Sequence, residues 1–170
     1  MKKLLQLLFV ILISLPLGAQ LPNKSQKLVF GLGAGTFSAD QISGVSGIFD
    51  ITHLQPNHFY KLRLILNREV ELSLNGEEHE DHNGEIALMM GWLSQGRNFK
   101  IAVSTGIALV SGQEISNSRD KNKYTSLGIP AQVEAKVKLD SNKDIGFGFA
   151  INANKEQSFT VFFVKLNMRS

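Results

Sequence analysis

Between Leu28 and Met168 apolar residues alternate with polar or small ones at a period of two, in eight separate runs. Side chains of a β-strand point alternately to opposite faces, so such a run reads as a strand with two unlike faces. The first run sets Leu28, Phe30, Leu32 and Ala34 against Val29, Gly31, Gly33 and Gly35. Later ones repeat the pattern, with Tyr60, Leu62, Leu64 and Leu66 opposing Lys61, Arg63, Ile65 and Asn67. Ile86, Leu88, Met90 and Trp92 likewise oppose Glu85, Ala87, Met89 and Gly91. The other runs are centred on Val45–Ile51, Phe99–Leu109, Leu127–Val137, Ile145–Ile151 and Phe162–Met168. No helical period of comparable length follows residue 20. The expected fold is all-β: an eight-stranded antiparallel up-and-down barrel.

The composition of the two rows decides which of them faces the interior. The apolar row is almost free of charge, with Arg68 the exception. The opposite row is rich in Gly and Ala and carries Asp50, Lys61, Arg63, Glu69, Lys100, Glu134 and Lys136. A soluble barrel buries its apolar row and wets the other, whereas a membrane barrel does the reverse. Small residues and charges of both signs suit a crowded lumen better than a solvated surface. The transmembrane barrel is therefore the leading expectation. A soluble lipocalin-like barrel binding a small ligand in the periplasm is the alternative.

The N-terminal segment agrees with an envelope protein. Lys2 and Lys3 precede an apolar stretch from Leu4 to Leu15, then Pro16 and the small pair Gly18-Ala19. This is the grammar of a secretory signal, with residues 1–19 removed and the barrel domain covering 20–170. Without Lys2 and Lys3 the chain holds sixteen basic and fifteen acidic residues. A near-neutral balance gives no reason to expect nucleic acid as a partner. The chain has no Cys, which rules out disulfides, thiolate metal sites, a Cys nucleophile and a lipid anchor on Cys. No downstream apolar run reaches the length of a membrane helix, so a membrane location requires a barrel.

The connections alternate in length. They run "SADQIS", "LQPNH", "NGEEHEDHN", "SQGRN", "SGQEISNSRDKNK", "DSNKD" and "NKEQ". With a periplasmic N-terminus the even ones, all short, are periplasmic turns and the odd ones extracellular loops. Tyr60, Trp92 and Phe99 then fall at the periplasmic ends of their strands, where an interfacial girdle belongs. Pro130 removes a ladder donor inside the sixth strand and predicts a bulge there.

The apparent signal, the eight strands and the closing "FTVFFVKLNMRS" resemble the eight-stranded outer-membrane barrels of the OmpA and OmpX type. The segments "FYKLRLILNREVEL", "VSTGIALVSG", "LGIPAQVEAKV" and "FGFAINAN" resemble, more narrowly, small uncharacterised barrels of Bacteroidetes-type bacteria. The resemblance implies a fold and an outer-membrane location but no activity. The sequence departs from the type in closing on Ser170 rather than on an aromatic residue.

Candidate chemistry is sparse. In "GEEHEDH" the side chains of His79, Glu80, Asp81 and His82 are weak candidates for a divalent-cation site, since imidazole and carboxylate suit such ions. A solvated acidic loop explains them equally well, because nothing there imposes a ligand geometry. His53 and His58 flank Pro56 in an expected turn, without a nucleophile beside them. "GLGAG" keeps strand period and no helix follows it, so it reads as a strand rather than a phosphate loop. A lipid-modifying enzyme of the outer membrane is a disfavoured alternative, for it needs a rigid polar cluster at the outer rim. The inner charges read as plug residues, because eight strands enclose barely enough room for side chains. The chain is thus expected to be a non-enzymatic barrel with no catalytic residue and no cofactor. Its expected partners are outer-membrane lipid and an unspecified extracellular molecule.

Overall fold

The computed structural model describes residues 27–39, 42–56, 58–69, 82–94, 96, 98–115 and 121–170. Eight strands follow one another: β1 (Lys27–Ala39), β2 (Ile42–Leu54), β3 (His58–Glu69) and β4 (His82–Leu93), then β5 (Phe99–Ile115), β6 (Lys121–Lys138), β7 (Lys143–Asn154) and β8 (Phe159–Arg169). Each pairs antiparallel with its sequence neighbour, and β8 pairs back to β1 to close the barrel. No helix among the described residues is long and apolar enough to cross a membrane.

The register fixes the shape. Crossing from partner to partner takes Leu28 to His53, Tyr60, Met90, Thr105, Ala131, Ile151 and Thr160, and back to β1 at Ser38. The circuit returns ten residues along the strand from its start. Eight strands with that stagger tilt by about 40° and leave an interior that side chains can just fill.

The alternation predicts the two faces correctly. Leu32, Leu66, Trp92, Ile107, Leu127 and Phe162 all point outward and are exposed, while residues of the opposite parity on the same strands, such as Arg63, Ile65, Glu85, Val110 and Glu134, are buried. On β6 the apolar outer row runs from Leu127 to Val137. Ten steps at ~3.3 Å, tilted by ~40°, give a band roughly 25 Å tall, the height of a bilayer's hydrocarbon on such barrels. Arg68, Thr125 and Thr160 lie toward its odd-loop edge and His53, His58 and Lys143 toward the other.

Three details differ from the sequence reading. Pro130 makes no bulge: β5–β6 pairing keeps one register on both sides of it and omits only the Gly106 and Ile107 pairs. Pro130 points into the lumen, and Thr105 Oγ1 on the facing strand donates to its carbonyl at 2.9 Å. The long connection "SGQEISNSRDKNK" is mostly ladder, since β5 continues to Ile115 and β6 begins at Lys121. His53 and His58 belong to the ends of β2 and β3 rather than to a turn.

Candidate functional site

The most organised chemistry in the barrel is in its lumen, where the inward rows of six strands build one continuous polar network. β2 brings Asp50, β3 Lys61 and Arg63, and β4 Glu85; β6 supplies Gln132, Glu134 and Lys136, β7 Asn152, and β8 Lys165 and Asn167. Lys165 Nζ lies 2.5 Å from Asp50 Oδ2 and 3.1 Å from Glu134 Oε2. Lys61 sits between the same two carboxylates, at 3.8 Å and 3.6 Å, and Lys136 is 3.6 Å from Glu134. Asn167 Nδ2 donates to the other oxygen of Glu134 at 3.1 Å.

A second cluster adjoins the first. Arg63 donates to Glu85 through Nε at 2.8 Å and Nη2 at 2.6 Å, and its Nη1 donates to Gln132 at 3.0 Å. Asn152 completes Glu85 with a donation to Oε2 at 2.6 Å. Gln132 joins the clusters by donating to Glu134 at 3.1 Å. Removing either member of such a buried pair leaves an unpaired charge, at a cost of about 3–5 kcal/mol. The network holds three carboxylates against four cations, and the Lys61 ammonium makes no hydrogen bond within the protein.

The lumen is not polar throughout. Phe37, Ile48, Ile65, Val110, Phe159, Val161 and Phe163 pack together toward the odd-loop end. Asn67 and Asn83 lie alongside, with a 2.6 Å bond from the first to the second, and Ser46 hydrogen-bonds Asn67. The turn after β7 folds inward here: Asn154 accepts the backbone N–H of Gln157 at 2.8 Å and donates to its carbonyl at 2.7 Å. Gln157 then accepts from Tyr124 at 2.6 Å and from Asn83 at 3.0 Å, capping this end of the lumen. At the even-turn end Arg169 pairs with Asp144 and donates to Ser141 O at 3.1 Å, beside Lys100, Lys136 and Lys138.

Of the candidate cation ligands, His79, Glu80 and Asp81 lie outside the described residues. His82 is not a loop residue: it opens β4, is exposed and pairs in the ladder with Arg68 and Gln113. Among the described residues no three His, Asp or Glu side chains are grouped as a metal would require. The expected inner charges Asp50, Lys61, Arg63, Glu134 and Lys136 do meet in the lumen, whereas Lys100 and Glu69 are only half-buried near opposite ends. Sequence reasoning missed Lys165, the residue that joins Asp50 to Glu134, and gave Glu85 no role. Lys165 was findable by parity alone, as the odd-numbered neighbour of the outward Val164 and Leu166.

The scaffold can be set beside known proteins. No family model matches the sequence, and no curated protein matches it either. Solved structures do match. Neisserial surface protein A superposes with a TM-score of 0.67 at 10% identity, covering 84% of this chain and 96% of that one. The N-terminal β-barrel domain of Pseudomonas aeruginosa OprF gives 0.65 at 10% identity, covering 85% and 97%. Ail, the attachment invasion locus protein of Yersinia pestis, gives 0.61 at 7% identity, covering 85% and 98%. The fold is that of the small eight-stranded outer-membrane barrels. At these identities the likeness extends to the barrel and its closure, and the lumen residues of this chain stand on their own geometry.

Proposed function

We propose that this chain is a non-enzymatic outer-membrane protein whose lumen is a structural plug and whose odd-numbered loops engage the cell's surroundings. One observation carries the reading: the exposed row of the barrel is an uncharged belt dominated by large apolar side chains, and the buried row is charged and internally paired. A soluble barrel with those faces would expose large apolar side chains to water all round and bury ionic groups, both unfavourable. In a bilayer the same belt is solvated by lipid. The paired lumen argues against a pore, because every carboxylate of the network is already held by a cation or a carboxamide. It argues against chemistry as well, since none of those carboxylates is left unpaired to take or give a proton.

Cell fractionation tests the location. The protein should partition with outer membranes, resist salt and alkaline extraction, and leave them only in detergent. On a gel without boiling it should migrate as a compact barrel and shift on heating. Release in a soluble fraction without detergent would refute the membrane reading and restore a ligand-binding soluble barrel.

A further inference from the structure

Lys100 of β5 and Lys136 of β6 are direct partners in the ladder, and both line the even-turn mouth of the lumen. Like charges facing each other across a strand pair are destabilising. Lys138, two residues beyond Lys136 on the same face, adds a third ammonium, and Arg169 and Asn98 close the ring. Asp144 is the sole carboxylate lining this cup, and Arg169 already pairs with it. Beneath the cup Glu134 lies 3.6 Å from Lys136, but it also serves Lys165 at 3.1 Å and Lys61 at 3.6 Å. Lys100 and Lys138 have no ion-pair partner among the described residues. Positive charge is therefore concentrated here well beyond what the protein neutralises.

The cup measures about 70 Å³. That is far below the roughly 300–1,000 Å³ of a site for a whole small molecule. It suits one compact polyatomic anion, and Lys138 and Asn98 are exposed, so the mouth is open to a group attached to something larger. We infer that this mouth is a binding site for a phosphoryl oxyanion, held by the ammoniums of Lys100, Lys136 and Lys138 with the Asn98 carboxamide as a further donor. Inorganic phosphate presents four oxygens and close to two negative charges to several point-charge donors, and a phosphodiester keeps the tetrahedral oxyanion with one charge; binding phosphate is a use lysine commonly has. The phosphoryl group has two sources: free inorganic phosphate, or a phospholipid headgroup in the leaflet at that rim. Only the second source rests on the membrane reading.

The test uses the chain refolded in dodecyl maltoside micelles, which contain no phosphate, in chloride buffer. Inorganic phosphate is titrated by calorimetry, and in parallel the barrel is placed in vesicles with or without phosphatidylglycerol while headgroup phosphorus resonances are followed. Saturable binding of free phosphate, weakened at least tenfold by Lys100→Gln with Lys138→Gln and kept by Lys100→Arg, establishes the site for the free ion. Headgroup broadening with the same lysine dependence, without binding of free phosphate, establishes the lipid as the source. The outward Lys143→Gln is the control for bulk charge and should change neither. Without phosphate, Lys100→Gln should raise the urea midpoint by relieving the facing lysines, and added phosphate should raise it in the parent chain only. No binding in either arm, or binding indifferent to Lys100 and Lys138, overturns the inference.

Discussion

Lys165 of β8 reaches across β1 to meet Asp50 of β2 at 2.5 Å, and the residue of β1 beneath that reach is Gly31. A Cβ at Gly31 would lie 2.6 Å from Asp50 Oδ1, 2.9 Å from Lys165 Cδ and 3.0 Å from Asn167 Oδ1. The ion pair can therefore bridge two strands that do not touch in the ladder because the strand between them carries no side chain there.

Gly31→Ala should consequently destabilise the barrel, by about 1–3 kcal/mol, the usual scale of overpacking a filled interior. Gly47 is the matched control: it points outward, and a Cβ there meets nothing within 4 Å. Gly47→Ala should be neutral or slightly stabilising, since it replaces glycine at an unobstructed strand position. Urea unfolding in micelles or vesicles compares the two. Equal effects would mean that Gly31 does not face a packed lumen.

Arg63 and Glu85 allow a cleaner energetic test. Each single truncation, Arg63→Met or Glu85→Met, strands the other charge and should cost about 3–5 kcal/mol. The double variant removes both charges together and should be less destabilised than the sum, with a coupling energy of ~2 kcal/mol or more. Additivity within about 0.5 kcal/mol would show that the pair is not coupled in the folded barrel. Asn152, which also donates to Glu85, should be kept in all four proteins.

The barrel is legible in the sequence because its outer rows obey period two over nearly their whole length. Leu28 to Ala34 and Tyr60 to Leu66 need only one assumption, that charge avoids hydrocarbon. The lumen is less legible for two physical reasons. On β8 both rows are apolar near its middle, since Val161 and Phe163 fill the interior while Phe162 and Val164 face outward, so the residues before Lys165 do not mark its row as the polar one. Closure also brings together residues remote in sequence, as with Arg63 and Gln132, and no local spacing reports such a meeting. The mistaken long loop has a similar cause. Where β5 and β6 continue past the apolar band, outward residues such as Ser111, Lys123 and Thr125 are polar, and a strand wet on its outer face reads as a loop.

Topology is open to direct labelling, because the chain contains no cysteine. Lys123→Cys, exposed near the odd-loop end of β6, and Asn142→Cys, exposed in the turn between β6 and β7, should differ in access to a membrane-impermeant maleimide. Intact cells should label the first and not the second, while broken outer membranes should label both. The reverse pattern would place the odd loops in the periplasm.

Trp92 reports on the sidedness and the depth of the barrel at once. It is the only tryptophan, it stands on the outer row near the even-turn end of β4, and 58% of its surface is exposed. Tyr60 and Phe99 lie at the same end, exposed in the same outer row. An indole at that level of a membrane barrel sits at the boundary between hydrocarbon and headgroups, with its ring in an apolar setting and its N–H near water. Folding into vesicles should therefore shift its emission to shorter wavelength. Lipids brominated near the headgroup should quench it more than lipids brominated at the chain ends, and aqueous iodide should quench it weakly. In a soluble barrel the same exposed indole would emit at long wavelength, respond fully to iodide and ignore brominated lipid. That outcome would reverse the assignment of the apolar face, and with it the membrane location.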